Sequence, residues 1–195
     1  EADVVIGVPD SGLDAALGFS RESGIPYGVG FIKNRYVGRT FIQPTQGQRE
    51  DAVRIKLNVI NETVCGKRVV LIDDSIVRGT TCGRIVKLLR EAGAKEVHFM
   101  VSSPPFRNPC YFGTDIDSRD KLIACRMTIP EIAKSIDVDS LHYLSVDGVR
   151  AIAEGANCGF CVGCFTGEYP VDVPGELPKD KFECKISDRD KRGVR

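Results

Sequence analysis

Two adjacent carboxylates follow a short apolar run, and a loop rich in hydroxyl groups and glycine follows them. The stretch extends from Val69 to Thr81 and has the sequence VVLIDDSIVRGTT, with Asp73 and Asp74 at its centre. In open α/β sheets, ligands bind beyond the carboxyl ends of the strands, where these acids would lie. Backbone N–H groups and hydroxyls before a helix suit a phosphate monoester, whereas paired acids suit ribose hydroxyls or Mg²⁺. The stretch therefore predicts a ribose 5-phosphate site, although a lone acid pair would indicate only solvated acids and a helix cap.

A second loop with similar potential follows an earlier apolar run. The sequence DVVIGV at 3–8 is followed by PDSG at 9–12. Gly12 allows the backbone to approach an anion closely, and Ser11 offers an oxygen to a metal ion or a phosphate. Taken alone, the tetrapeptide is equally an ordinary turn before a helix, so its interpretation depends on the neighbouring motif.

A polar and basic segment lies between these two loops. It extends from Phe31 to Glu50 and shows no clean helix or strand period. Long irregular loops in compact domains tend to be functional, although a solvated basic loop is the better interpretation of this segment alone. Beside two phosphate-binding loops, a lid that closes over the substrate becomes the stronger prediction. Its candidate catalytic side chains are Lys33, Arg35, Tyr36 and Arg39.

Cysteines form a third group with chemical potential. The chain has eight. Two residues separate each of Cys158, Cys161 and Cys164 from the next in CGFCVGC, while Cys110 follows a Pro-rich break. In an enzyme core, reduced thiols or a metal site are favoured over disulfides. This spacing lets thiolates converge on one metal centre, and both zinc and a 4Fe–4S cluster satisfy it. The remaining cysteines are isolated and predict buried or incidental thiols: Cys65, Cys82, Cys125 and Cys184.

The elements that must position these groups alternate between strand and helix. Strands are predicted at 3–8, 67–74 and 96–103, and helices follow the first two. Gly24 and Gly93 are well placed to end those helices. Strand, helix and strand in this order predict a right-handed parallel crossover, and hence an α/β fold with a mainly parallel sheet. Two later segments have helical patterns, at 127–136 and 145–156.

Composition excludes some classes of partner. Lys plus Arg and Asp plus Glu number 27 each, which gives no electrostatic reason to expect nucleic acid or a membrane surface. The hydrophobic content of 42% can fill a core, and no stretch is long and apolar enough to span a bilayer. No signal peptide is visible at Glu1.

The stretch at 69–81 resembles the phosphoribosyl diphosphate (PRPP) signature of the type I phosphoribosyltransferases. In order along the chain as far as Pro170, further segments are similar to the amidophosphoribosyltransferases: GVPDSGLDAALGFS, FIKNRYVGRTFIQPTQ, SSPPFRNPCYFGTD and NCGFCVGCFTGEYP. The resemblance implies a type I phosphoribosyltransferase fold. It also implies a cytoplasmic, homo-oligomeric enzyme that makes 5-phosphoribosylamine and diphosphate from PRPP and glutamine-derived ammonia, the first committed step of purine biosynthesis. Purine nucleotides would be its feedback inhibitors.

Roles for individual residues follow from this resemblance. Asp73 and Asp74 would hold the ribose hydroxyls and, together with Ser11, Mg²⁺. The diphosphate would bind the loop that contains Asp10, Ser11 and Gly12. The 5-phosphate would bind the residues Ser75, Arg78, Gly79, Thr80 and Thr81.

The cysteine segments are similar to the iron–sulfur branch of the family. The resemblance implies Cys110, Cys161 and Cys164 as ligands of a 4Fe–4S cluster, with Cys158 as a neighbour that is not a ligand. The fourth ligand of the family lies upstream of Glu1, so a partial or empty site, or a substitution by Cys158, stays open. We expect a phosphoribosyltransferase domain at 1–145 and a Cys-rich segment and tail at 146–195, without the glutaminase domain of the family.

Two other functions would use the same loops. A base-salvage phosphoribosyltransferase needs a nucleobase pocket, and the cysteine segments and NRYVGRTFIQP disfavour it. A non-catalytic PRPP sensor would not need a lid and would usually carry a DNA-binding module, which the zero net charge does not indicate.

Overall fold

Strands and helices alternate through residues 1–34, 57–114, 116 and 118–173, which are the residues that the computed structural model describes. The strands are, in chain order, β1 Val4–Gly7, β2 Phe31–Lys33, β3 Leu57–Val59, β4 Arg68–Asp73, β5 Glu96–Val101 and β6 Ser140–Tyr143. The helices are α1 Leu13–Ser23, α2 Asn61–Val64, α3 Thr80–Glu91, α4 Ile123–Arg126, α5 Ile129–Ser135, α6 Val146–Ile152 and α7 Gly163–Thr166. No helix in these ranges is long and apolar enough to cross a bilayer.

The central sheet has four strands in the order β1-β4-β5-β6, and each neighbouring pair is parallel. All residues of β1 and five of the six residues of β4 are buried, because the sheet is covered on both faces there. Strand β5 alternates instead, with Val97, Phe99 and Val101 buried on one face. The predicted α/β fold with a parallel sheet flanked by helices is confirmed.

Helix α1 ends where its sequence predicts, and α3 packs one face against the core. Helix α1 ends at Gly24, whose φ of 72° is left-handed and whose N–H donates to the carbonyl of Ser20. Helix α3 buries the residues Cys82, Ile85, Val86 and Leu89, whose spacing of three or four forms one face. Full burial of an aliphatic side chain contributes about 1.5–3 kcal/mol, so this face fixes α3 against the sheet. Shorter helices, α5 and α6, lie within the two later predicted segments.

A second, two-stranded sheet corrects the prediction that the chain is irregular from Phe31 onward. Strands β2 and β3 pair antiparallel, with Phe31 opposite Val59 and Lys33 opposite Leu57. Phe31 and Leu57 are buried in the main core. A strand of three residues is too short to show a period, so its sequence alone did not indicate it. Residues 35–50 of the predicted lid, which include Arg35, Tyr36 and Arg39, lie outside the described residues.

Asp3 fastens the start of β4 to the chain just before β1. Its carboxylate accepts hydrogen bonds from the backbone N–H of Arg68 at 2.7 Å and from the guanidinium Nη2 of the same residue at 2.8 Å. The N–H of Asp3 donates to the carbonyl of Arg68 at 2.8 Å. The hydrogen bonds from the Arg68 side chain and backbone lower the pKa of Asp3 well below its ordinary value.

We expect Asp3→Asn to lower the Tm by a few degrees at pH 7, because the neutral amide loses the charge-assisted bonds. The pKa of this carboxyl is lower in the folded state than the ordinary 3.8. Its stabilisation is therefore complete above that ordinary value and is lost as the pH falls below it. Thermal unfolding should show a difference between variant and wild type that shrinks below about pH 4. Asp147→Asn, an exposed control, should change little at either pH, whereas equal Tm values for Asp3→Asn and wild type at pH 7 would contradict the assignment.

Candidate active site

The predicted acid pair lies at the carboxyl end of β4, where hydrogen bonds from the residue after β5 hold its backbone. Asp73 is only 7% exposed, and its carboxylate accepts the N–H of Asp74 at 2.9 Å. Its backbone carbonyl accepts hydrogen bonds from the N–H of Ser102 at 2.9 Å and from the Ser102 hydroxyl at 3.2 Å. Ser102 follows β5 directly, so the neighbouring strand holds the Asp73 backbone in place.

The two acids have different surroundings, with Asp73 buried and Asp74 exposed. Burial raises the pKa of the Asp73 carboxyl to about 8, and the adjacent Asp74 carboxyl adds to the rise. A bound cation would oppose both effects and favour the ionised form. The pair therefore combines one exposed carboxylate with one buried carboxyl whose charge depends on what binds beside it.

The loops after β1 and β4 meet at Asp74. The Ser11 hydroxyl donates to one carboxylate oxygen of Asp74 at 3.1 Å, and the Ser75 hydroxyl donates to the other at 3.1 Å. Ser11 and Asp74 are 63 positions apart in the chain. The structure thus brings together two loops that the sequence identified separately, and it surrounds one carboxylate with two hydroxyls.

Close backbone packing fixes the loop after β1. The N–H of Val8 donates to the carbonyl of Ile72 at 2.8 Å, and the N–H of Gly12 donates to the carbonyl of Val8 at 2.9 Å. A Cβ atom at Gly12 would stand 2.3 Å from the Ile72 carbonyl oxygen, which only glycine avoids. The peptide bond between Pro9 and Asp10 is cis. The loop therefore lies directly against the end of β4.

Lys33 reaches this loop from the smaller sheet. It is the last residue of β2, and its ammonium donates to the Asp10 carboxylate in an ion pair. Of the four predicted lid side chains, Lys33 alone falls within the described residues, and the structure places it at the loop after β1.

The loop after Asp74 leads into the N-terminus of α3. Gly79 has a φ of 84°, and a Cβ atom there would stand 2.6 Å from Cδ1 of Ile123, so this position needs glycine. Thr80 begins α3, whose first backbone N–H groups have no partner within the helix. Such a terminus favours an anion. A cavity of ≈ 600 Å³ opens beside it, with the cationic lining residues Arg78, Arg84, Lys87 and Arg126.

Three of the four predicted cysteine positions lie near one another. The N–H groups of Arg107 and Asn108 both donate to the carbonyl of Cys164 at 3.0 Å, which ties the segment before Cys110 to α7. Burial raises the pKa of the Cys164 thiol to about 11, and the nearby thiols of Cys110 and Cys161 contribute to the rise. Cys110 and Cys164 also pack against the small core formed by Phe106, Ile116 and Leu122.

None of the described cysteines forms a disulfide, including those outside this group. As predicted, Cys82 is buried, whereas Cys65 and Cys125 are exposed, and Cys184 lies outside the described residues. Within the described ranges, no group of three or more His, Cys, Asp or Glu side chains is arranged to hold a metal ion. The cysteines are thus neighbours without forming a closed site.

One residue and one contact of this region were not predicted from the sequence. Ser102 was not selected, although its place at the carboxyl end of β5 was a usable signal. The pairing of Asp10 with Lys33 was also missed, and no local pattern could have shown it, because 23 positions separate the two residues.

A parallel sheet with two loops suited to anions at its carboxyl end is typical of the class of nucleotide- or sugar phosphate-binding proteins. The model of the phosphoribosyl transferase domain family matches residues 1–126, so this chain belongs to that family. The curated amidophosphoribosyltransferase of Synechocystis sp. is 56% identical over 182 residues, which is 93% of this chain and 37% of the relative. That of Archaeoglobus fulgidus is 56% identical over 178 residues, 90% of this chain and 39% of the relative.

Solved structures agree with these relatives. Glutamine PRPP amidotransferase from Bacillus subtilis, complexed with ADP and GMP, has a TM-score of 0.77 and 53% identity, and the match covers 90% of this chain and 40% of that one. The structure of an allosteric regulatory enzyme of purine biosynthesis matches with the same TM-score and identity. The predicted resemblance to amidophosphoribosyltransferases is confirmed. The chain spans about two fifths of the length of the curated relatives it matches.

Proposed function

We propose that this chain carries the synthase site of an amidophosphoribosyltransferase. It would form 5-phosphoribosylamine and diphosphate from PRPP and ammonia derived from glutamine, which is the first committed step of de novo purine biosynthesis. The observation that carries the proposal is the contact between Ser11 and Asp74, because it unites the loop after β1 with the acid pair after β4. The high identity to amidophosphoribosyltransferases supports the choice of ammonia as the acceptor.

In this reaction the ammonia nitrogen forms a bond to C1 of the ribose while the bond from C1 to the diphosphate oxygen breaks. The proton that the new amine loses passes to solvent. The chain would contribute position and charge instead of a covalent intermediate. The carboxylates of Asp73 and Asp74 would accept hydrogen bonds from the ribose hydroxyls, and the ammonium of Lys33 would neutralise the leaving diphosphate.

The remaining assignments concern the two phosphate ends. We assign the diphosphate to the backbone of the loop containing Ser11 and Gly12, which packs against the end of β4. The 5-phosphate would lie at the N-terminus of α3, where helix N–H groups and hydroxyls converge. Its binding residues would be Ser75, Arg78, Gly79, Thr80 and Thr81. Arg35, Tyr36 and Arg39 stay candidate catalytic residues from sequence alone.

Mg²⁺ fits the oxygen donors at the meeting point of the loops. Mg²⁺ commonly binds through one or two carboxylates together with substrate phosphates, so two acids and a hydroxyl suffice. The buried Asp73 carboxyl has a raised pKa, which a cation would lower. We propose that Ser11, Asp73 and Asp74 hold Mg²⁺, which when bound supplies positive charge for the diphosphate.

The direct test is PRPP consumption by the purified protein. With Mg²⁺ and ammonia as the sole acceptor, we expect diphosphate to form at a rate proportional to ammonia. Adenine, guanine and orotate in separate reactions should support no such turnover. Turnover with a nucleobase alone would favour a salvage enzyme instead, and PRPP binding without any turnover would favour a sensor.

We further propose that the chain is divided functionally at residue 145. Residues 1–145 would form the phosphoribosyltransferase domain, and residues 146–195 would supply the Cys-rich segment and tail. Cys110, Cys161 and Cys164 would be ligands of a 4Fe–4S cluster that ties the two together, since thiolates are the ligands such clusters prefer. The proximity of these thiols supports the assignment. We also propose that purine nucleotides inhibit the protein. We propose that it assembles as a homo-oligomer.

We expect the natural full-length protein, prepared without oxygen, to contain iron and sulfide. Cys161→Ser and Cys164→Ser should each lose most of the iron, because a hydroxyl replaces a thiolate ligand. Cys65→Ser, in an exposed cysteine outside the proposed ligand set, is the matched control and should keep the iron. Iron and sulfide analysis decides the point, and zinc in place of iron, or equal iron in all variants, would contradict the cluster.

A further inference from the structure

An ion pair occupies the loop proposed to bind the diphosphate. The ammonium of Lys33 donates to a carboxylate oxygen of Asp10. The Lys33 side chain is 23% exposed, whereas that of Asp10 is 63% exposed. A largely covered lysine side chain thus faces an exposed aspartate, whose carboxylate water can reach when the ammonium leaves it.

The charge of Asp10 is the wrong sign for a ligand of diphosphate. Two anions within contact distance repel each other, so a carboxylate in an anion-binding loop needs another explanation. Carboxylate and phosphate oxygens are equivalent acceptors for an ammonium group. In this structure, Asp10 therefore gives Lys33 the kind of partner that a diphosphate oxygen would give.

Neighbouring contacts keep this carboxylate at the site. The next residue, Ser11, donates to Asp74, and Gly12 packs against the carbonyl of Ile72. Lys33 is equally constrained, because it is paired with Leu57 in the small sheet. Both partners are thus held by separate elements, Asp10 by the loop after β1 and Lys33 by strand β2.

We infer that Asp10 is a positioning residue, an internal counter-ion that holds the Lys33 ammonium at the diphosphate loop until the diphosphate of PRPP replaces it. The inference rests on the proposed function, and it revises the assignment of Asp10 as a substrate-binding residue. One acceptor replaces another at the same ammonium, while the released carboxylate becomes hydrated. When diphosphate leaves, the ion pair between Asp10 and Lys33 forms again. Because Asp10 competes for the ammonium, it weakens the binding of PRPP and of the product diphosphate alike.

Asp10→Asn tests this exchange. Without the competing carboxylate, the Kd for magnesium diphosphate should fall by roughly threefold to fivefold, the range of an exposed ion pair. The KM for PRPP should fall similarly, while kcat stays equal or decreases, because the product is held by the same ammonium. Calorimetry with magnesium diphosphate and steady-state kinetics with PRPP measure the two effects. A residue that only supported the loop would show the opposite, a higher Kd and a lower Tm.

Two further variants serve as controls for charge. Asp14→Asn removes an exposed carboxylate from the first turn of α1 and should leave the Kd unchanged. Asp10→Glu restores a carboxylate and should return the Kd towards the wild-type value. A Kd for Asp10→Asn that is unchanged or higher overturns the inference.

The Lys33→Met background separates exchange from simple repulsion. If Asp10 acts through Lys33, Asp10→Asn should tighten diphosphate binding less in this background than in the wild type. Equal tightening in both backgrounds would mean repulsion alone and would overturn the inference. Failure of the wild-type protein to bind PRPP is a different result, because it would overturn the proposed function itself.

Discussion

Replacing Asp74 by asparagine is expected to lower kcat/KM for PRPP by about two orders of magnitude, the usual scale for losing one preorganised charge contact. The side chain is exposed at the end of β4, so the substitution removes charge without removing core volume. It also weakens the hydrogen bonds that the hydroxyls of Ser11 and Ser75 donate to this side chain. We expect the Tm to change little, and steady-state kinetics with PRPP and ammonia will measure the loss.

Asp73→Asn should have an effect of similar size for a related reason. Asp73 is buried, but an asparagine oxygen can still accept the N–H of Asp74, which preserves the local backbone. Asp14→Asn is the matched control and should keep full activity. Full turnover in both Asp73→Asn and Asp74→Asn would remove the acid pair from the proposed site.

Gly12→Ala should destabilise the domain and abolish PRPP binding together. A Cβ atom at this position would stand 2.3 Å from the Ile72 carbonyl oxygen and 2.9 Å from the Val8 nitrogen, both of which are backbone atoms. The loop after β1 would have to move away from β4, because β4 is held between two neighbouring strands and cannot shift. Overpacking of this kind costs about 1–3 kcal/mol, and the displaced loop would lose its contact with Asp74. Chemical denaturation and PRPP calorimetry measure the two losses.

Gly18→Ala is the matched control, and its effect should have the opposite sign. Gly18 lies within α1, and no atom stands within 4 Å of the position that its Cβ would occupy. Alanine in a helix interior is favoured over glycine by about 1 kcal/mol, so this variant should unfold at a higher denaturant concentration. If Gly12→Ala matched wild type in stability and PRPP affinity, the tight packing of the loop would not matter to the site.

Local sequence determined the elements and the loops that carry the chemistry. The apolar run ending at Asp73 and Asp74 predicted a buried strand with acids at its end, and β4 has that form. Gly24 was predicted to end the first helix, and α1 ends there with a left-handed φ, while Gly79 stands where a left-handed φ is required. These features depend on neighbours within a few residues, which is why periodicity and turn chemistry reveal them.

Only the tertiary structure decided which of these pieces meet. The bonds from Ser11 to Asp74 and from Lys33 to Asp10 join residues 63 and 23 positions apart. The pairing of Phe31 with Val59 made a strand of three residues that has no detectable period of its own. Such contacts depend on how the parallel crossovers place whole strands and loops, and no local pattern encodes that geometry. The sequence could name the candidate ligands of a phosphorylated sugar. The burial of the Asp73 carboxyl and the ion pair of Lys33 with Asp10, however, follow from the folded surroundings.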